Sequence, residues 1–250
     1  MITSVRNPRI AAVRRLGRAR ERRATGRTTI DGPFLLAEAV AAGVGIHEVF
    51  LTPDDQASAQ LCMRVGLEAT QVAPEVIKGL SNNVSPRGPI AVISIPEAPA
   101  PRAVDSVVLW DIADPGNAGT IIRTAGAFGF QVMATKRCVD LWSPKVIRSG
   151  VGGHFRATPF EGLDPDPQAL FDLGLRPLVA LAHADNEPAE KVMSGSTPIA
   201  LLVGNEAHGV PGDVADTAGI ESISLPMPGG AESLNAAVAA GILMYLRISS

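Results

Sequence analysis

Residues 225–246 read LPMPGGAESLNAAVAAGILMYL: a short apolar edge, a Pro/Gly-rich turn, and then Glu-Ser-Leu-Asn at the mouth of an Ala-rich helix. One polar side chain is enough to cap a helix, because a Ser or Asn oxygen accepts a hydrogen bond from one of the otherwise unpaired N–H groups of the first turn. Ser233 can fill that role alone. Asn235, one or two positions inside the helix, is then left over as a group that faces a ligand.

Upstream, the same strand-to-helix pattern repeats from Asp105 onwards. SVVLWDI (106–112), FQVMAT (130–135), RPLVALA (176–182), PIALLVG (198–204) and GIESISLP (219–226) are short runs rich in Val, Ile and Leu, bounded by Gly, Pro or Asp and separated by helical stretches. Such runs predict a mainly parallel sheet covered on both faces, an α/β architecture whose ligands gather at the loops beyond the carboxyl ends of the strands. Before Asp105, TTIDG, PFLLAEAVAAG and HEVFLT alternate strand, helix and strand signals. LEATQVAPEVIKGLSN adds a strand and a short helix, and GPIAVISI a final buried strand. PEAPAPRAV, with Pro96, Pro99 and Pro101 and no apolar periodicity, is the linker. Two domains follow, a small α/β unit over residues 1–98 and a larger one over 105–250.

Three loops of the larger domain carry polar groups suited to chemistry. In WDIADPGNAGTIIRTAGAFGF (110–130) a strand ends at Ile112 and a helix is expected to begin near Ala118, with Asn117 at its mouth and Arg123 about a turn and a half in. An Arg between Ile122 and an Ala/Gly run is oddly placed unless its guanidinium reaches an anion. The G-x-G-x-x-G dinucleotide fingerprint is absent. In PIALLVGNEAHGVPGDV (198–214), Glu206 follows a buried strand closely. It calls for backbone N–H groups, an Arg or a ligand as partner, and a structural carboxylate fits as well as a catalytic one. His208 is expected to be exposed. The third loop is the opening stretch. Together they bring Asn117, Arg123, Glu206, Ser233 and Asn235 to one sheet edge. No Cys or His nucleophile pair, carboxylate pair or metal cage accompanies them, which disfavours hydrolysis and leaves group transfer from a bound cofactor. Cys62 and Cys138 are far apart and the four histidines form no zinc spacing, so no metal and no disulfide framework is expected.

Charge adds a partner. The net −3 of the 250 residues divides into +8 over residues 1–30, nine arginines against Glu21, and −11 over the rest. Every base of RNPRIAAVRRLGRARERRATGR (6–27) is Arg, whose planar fork suits phosphate. Ile10, Val13 and Leu16 form an apolar stripe that packs inward, and the arginines, Arg14, Arg15, Arg18, Arg22 and Arg23 among them, are expected to face outward, towards a nucleic acid. Without Trp or Phe anchors the helix does not suit a membrane surface, no apolar stretch reaches spanning length, and a cytoplasmic protein is expected.

The three loops, in this order, resemble the SpoU (TrmH-type) family of SPOUT RNA 2'-O-ribose methyltransferases. NAGTIIRTAGAFG looks like the first motif of that family, LVGNEAHGV the second, and ISLPMPGGAESLNAAVAAGILMYL the third. The N-terminal part looks like the small L30e-like RNA-binding domain of many members. PGGAES is richer in Gly than in many members, and His208 stands where many have an acid or Gly. The resemblance implies a C-terminal SPOUT domain with a deep trefoil knot, which physical rules for chain threading would not predict. It also implies S-adenosylmethionine as cofactor and an active site completed across a homodimer. In family terms Gly204, Leu225 and Leu234 hold the cofactor through the backbone, Met227 lines its pocket, and Arg123 is the catalytic Arg, supported by Asn117, Glu206, Ser233 and Asn235. The substrate it implies is RNA, with 23S rRNA favoured. A tRNA methyltransferase, a base-methylating relative and a non-catalytic RNA-binding protein on the same fold stay open.

Overall fold

The computed structural model describes residues 1–81, 86, 88–164, 166–182 and 189–249. In chain order the first elements are α1 (Pro8–Arg15), α2 (Ala19–Thr25), β1 (Arg27–Asp31), α3 (Pro33–Ala41), β2 (Ile46–Leu51), α4 (Gln56–Arg64), β3 (Ala69–Gln71), α5 (Pro74–Leu80) and β4 (Ile90–Ser94). They are followed by β5 (Ser106–Leu109), α6 (Pro115–Phe128), β6 (Gln131–Thr135), α7 (Pro144–Gly150), α8 (Gly153–Arg156), β7 (Phe160–Leu163), α9 (Gln168–Asp172) and β8 (Arg176–Ala180). The last are α10 (Ala189–Met193), β9 (Ile199–Val203), α11 (Gly212–Ala215), β10 (Glu221–Ile223) and α12 (Ala236–Ser249). These fall into two compact units, Met1–Glu97 with Trp142–Phe155, and Ala98–Leu141 with Arg156–Ser250.

The first unit is built on a four-stranded sheet in the order β1-β4-β2-β3, with β4 antiparallel to both β1 and β2 and β3 parallel to β2. Asn7 caps α1, its Oδ1 accepting the Arg9 N–H at 3.0 Å, and Pro8 follows at the helix start, where the missing N–H costs nothing. The spacing of Ile10, Val13 and Leu16 then turns all three inward, against Phe50, Val76 and Ile77. A second apolar cluster joins Ile30, Leu36, Ala39 and Ile93 to Trp142 and Ile147. Trp142 and Ile147 come from the 142–155 segment, which the sequence reading placed inside a second domain running unbroken from 105 to 250. Thr28 Oγ1, fully buried, donates to the Trp142 carbonyl at 2.7 Å, and the Trp142 and His154 rings lie 5.2 Å apart.

The second unit holds an all-parallel six-stranded sheet in the order β10-β8-β9-β5-β6-β7. β5 and β9 at its centre are buried along their whole length, as strands covered on both faces must be, and they are unbroken apolar runs for that reason. The five strands expected from apolar runs all form. β7 (FEGL) and α4 (QASAQLCMR) lack a sustained apolar run and were not anticipated. β9 enters the sheet between β5 and β8, two strands the chain has already laid down, and so the carboxyl ends of β5 and β9 lie side by side.

Candidate active site

A cavity of about 390 Å³ opens beyond the carboxyl ends of β8, β9 and β10, a volume in the range of small-molecule sites. Its walls are Ala180–Ala182, Val203–Glu206, Gly209, Ile223, Leu225, Met227, Ser233–Ala236, Ala239 and Leu243. Most of this lining is apolar. Its polar side chains are Asn205, Glu206, Ser233 and Asn235. At Gly204 the loop after β9 folds back on itself, and a Cβ there would lie 2.1 Å from the Gly209 carbonyl carbon and 2.2 Å from the Val210 nitrogen. Only glycine fits.

Helix α6 begins at Pro115, three residues earlier than the sequence suggested, and its cap is Asp114, whose Oδ1 accepts the Asn117 N–H at 2.8 Å. Asn117, 9% exposed, is therefore relieved of capping and its side chain turns to other partners. The capping roles at α12 are likewise the reverse of those expected. Asn235 is the cap, with Oδ1 accepting from Ala237 and Val238 N–H at 2.9 and 3.2 Å, whereas Ser233 lies exposed before the helix as part of the cavity wall. Asn235 does more than cap. Its Nδ2 donates to Asn117 Oδ1 at 2.8 Å, and Asn117 Nδ2 donates to Glu206 Oε1 at 2.9 Å.

The direction of this chain is dictated by chemistry. A carboxylate can only accept, so Glu206 must terminate it, and an amide that donates through nitrogen must receive through oxygen. The Ala113 and Asp114 N–H groups also point at Glu206, each at 3.4 Å. Burial pushes the Glu206 carboxyl up, but the Asn117 amide, its own backbone N–H and those of Ala113 and Asp114 outweigh it, and its pKa lies below the ordinary carboxylate value. Glu206 is a fixed anion that orients two amides and is poorly suited to take a proton. Three segments remote in sequence are thereby stitched into one rim.

Gly204, Leu225, Met227 and Leu234, expected at a cofactor site, all line the cavity. Arg123 does not. It is exposed on α6, and among the described residues nothing holds its guanidinium by hydrogen bond or ion pair. His208 is exposed, as expected. Of the five arginines expected to face RNA, Arg22 is a correction: it is 3% exposed, and its Nη1 donates to the Leu16 carbonyl at 2.6 Å at the junction of α1 and α2. Arg14 donates to the Val5 carbonyl and Arg15 approaches Glu21 at 3.8 Å, both from the surface, and Arg18 and Arg23 are exposed. Asn205, Ile223 and Leu243 escaped the sequence reading. Asn205 lies within Gly-Asn-Glu, a polar loop that could have marked it, and the other two look like any buried apolar residue.

The model of the SpoU rRNA methylase family matches residues 106–245, and that of the MRM3-like substrate binding domain matches residues 7–91. An uncharacterised tRNA/rRNA methyltransferase of Synechocystis is 30% identical over 254 residues, spanning 98% of this chain and 92% of that protein. The 23S rRNA guanosine 2'-O-methyltransferase RlmP of Bacillus subtilis is 28% identical over 246 residues, spanning 98% of this chain and 97% of its own. Among solved structures, the AdoMet-bound rRNA methyltransferase of Sinorhizobium meliloti matches with a TM-score of 0.84 and 25% identity over 99% of this chain and 97% of that one. With a family model matching more than half its length, the chain belongs to the SpoU rRNA methylase family.

Proposed function

We propose that this protein transfers the methyl group of S-adenosylmethionine to a ribose 2'-hydroxyl of RNA, and that the RNA is 23S rRNA. The observation that carries the reading is the Asn235–Asn117–Glu206 chain on the rim of a mostly apolar cavity, with Gly204, Leu225, Met227 and Leu234 of the second and third motif loops, expected to hold the cofactor, lining it. Apolar walls from Leu225, Met227 and Leu234, and a Gly204 loop that admits no side chain, fit a flat adenine and an aliphatic chain carrying a sulfonium. S-adenosylmethionine supplies an electrophilic methyl on a sulfonium. The protein must then align a weak oxygen nucleophile and stabilise the alkoxide character it develops. Because a guanidinium keeps its proton in proteins, Arg123 serves as a charge that orients a phosphate and steadies that oxygen, with no role as base. The hydroxyl proton passes to water as the O–CH3 bond forms and the S–CH3 bond breaks, leaving a neutral thioether.

Arg123 reaches the chemistry from a second copy of the chain. Val238, Ile242, Tyr245 and Ile248 are 50%, 39%, 56% and 49% exposed along α12, a stripe at helical spacing that a monomer leaves in water. α12 packs on α6 at Gly241 and Thr124, and the Phe128 and Tyr245 rings lie 6.2 Å apart, so the stripe and Arg123 belong to one helix pair. Homodimerisation through it supports an active site shared between protomers. Ile242→Glu is expected to give monomers in sedimentation and to abolish transfer while leaving the fold intact. The trefoil knot belongs to the same reading, supported by the late insertion of β9 between β5 and β8. A cytoplasmic location fits a chain in which, among the described residues, no helix is long and apolar enough to cross a membrane.

The N-terminal unit holds the RNA, with Arg14, Arg15, Arg18 and Arg23 at its surface. Incubation with radiolabelled donor and either 23S rRNA or tRNA, followed by mapping of the label, tests the proposal. Label on a ribose of 23S rRNA is expected. Label on tRNA or on a base would transfer the assignment to those substrates, and no label with either RNA would leave a binding protein.

A further inference from the structure

The central strand of the second sheet ends in a residue that the reaction above does not use. Asp111, just past β5, has a φ of +54°, a left-handed backbone that residues other than glycine adopt rarely and at a cost. Its neighbours on both sides hold it there. From β6, Thr135 Oγ1 accepts the Asp111 N–H at 3.0 Å and donates to Asp111 Oδ1 at 2.7 Å, closing a ring around a hydroxyl that is only 4% exposed by residue. From beyond β9, Asn205 Nδ2 donates to the Asp111 carbonyl at 2.9 Å, and Asn205 Oδ1 is itself fixed by the Ala207 N–H at 2.9 Å. Arg137 lies 3.4 Å from Asp111 Oδ2 but is 85% exposed, so it adds little. The left-handed turn redirects the chain, and the next amides but one, those of Ala113 and Asp114, are the pair aimed at Glu206.

We propose that Asp111 is a positioning residue of the donor site: locked by Thr135 and Asn205, it delivers the Ala113 and Asp114 amides to Glu206 and so sets the Asn117–Asn235 rim of the cavity. The proposal rests on the reading of that cavity as the S-adenosylmethionine pocket. A residue that only made a turn would need φ above zero and nothing more, a role glycine fills better. A residue that positions needs the carboxylate and its partners.

Four substitutions in the full-length protein separate these roles: Asp111→Asn, Asp111→Gly, Asp111→Ala and Thr135→Val. Each is read by amide hydrogen exchange over residues 110–118 and by calorimetric binding of S-adenosylmethionine. Asn accepts the left-handed conformation and keeps an acceptor for Thr135, so D111N is expected to retain slow exchange and donor affinity. D111G and T135V each lose the ring of hydrogen bonds, and both are expected to exchange faster at 113–114 and to bind the donor about tenfold more weakly, the effect of one well-placed hydrogen bond. D111A loses the ring and keeps the strain, and is expected to be affected most. Should D111A fail to fold, T135V, which changes no backbone preference at Asp111, carries the test with D111G. Wild-type affinity in D111G or T135V, or a fall in melting temperature with exchange at 113–114 and affinity unchanged, overturns the proposal. If the wild-type protein binds no S-adenosylmethionine, the donor-site reading falls, and unchanged exchange at 113–114 in D111G and T135V would overturn the tether separately.

Discussion

Asn235 shows how much one side chain can settle in this protein. Its oxygen caps α12 and its nitrogen begins the hydrogen-bond chain that Glu206 ends, and the two functions can be separated. Asn235→Asp retains a capping oxygen, and a carboxylate at a helix N-terminus is favourable, so the melting temperature is expected to hold. The Nδ2 donor is lost, however, and Asn117 must either face a second acceptor or turn its own amide away from Glu206. Methyl transfer by N235D is therefore expected to fall by about tenfold or more, the cost of an unmade hydrogen bond at a partly buried group. A steady-state rate beside a thermal melt checks both halves. Glu206 adds a pH dependence. Its pKa is lower folded than its ordinary value of 4.5, so its contribution to stability is fully present above that value and is lost as pH falls through the folded pKa. Melting curves of the wild type and Glu206→Gln between about pH 3 and 6 should converge at the acid end, where the wild type gives up what the variant never had. Parallel curves across that range would contradict it.

At the scale of elements, α12 is held at both ends by different chemistry. Asn235 ties its start to α6, and Arg247 ties its last turn to the strands it covers. The Arg247 guanidinium, with its side chain 8% exposed, pairs with Asp105 at 2.9 Å and donates to the carbonyls of Met193, Gly195 and Thr197 at 2.8, 2.7 and 2.9 Å. Asp105 in turn accepts the Ile199 N–H at 2.9 Å, so the entry to β9 and the entry to β5 share one anchor. Arg247→Ala leaves a carboxylate and three carbonyls without their donor and is expected to destabilise by about 3 kcal/mol, as read by denaturant unfolding. Arg247→Lys should recover only part of this, since an ammonium cannot match the planar fork. The sequence alone marked α12 as a helix through its Ala-rich run, but placed the cap at Ser233. Two capping residues stood two positions apart, and only the position of Asn117, 118 residues upstream, decides between them.

At the scale of the whole molecule, the chain leaves the second unit after Leu141, completes the core of the first unit with residues 142–155, and returns. A fragment ending at residue 98 lacks Trp142 and Ile147, which are 3% and 1% exposed, and leaves the buried Thr28 hydroxyl without its acceptor. The loss of two large apolar side chains costs about 4 kcal/mol, so the fragment is expected to unfold without cooperativity and to bind more of a hydrophobic dye than the full chain, whose transition is expected to be sharp. A fragment with a sharp thermal transition would refute this. What the sequence determined by itself was everything that depends on local pattern: the parallel strands written as unbroken apolar runs, the inward stripe of α1, the Pro-rich joint near residue 97, and the three loops in order. What only the tertiary structure decided was everything that depends on which distant groups meet. Arg22 reads as one more surface arginine until the turn after α1 buries it. Asp111 reads as a loop acid until β6 and β9 close on it from either side. The physical reason is the range of the forces involved. Periodicity and capping act over a few residues, but a hydrogen bond is made or missed within half an ångström, and only the packed sheet brings Glu206, Asn117 and Asn235 within that distance.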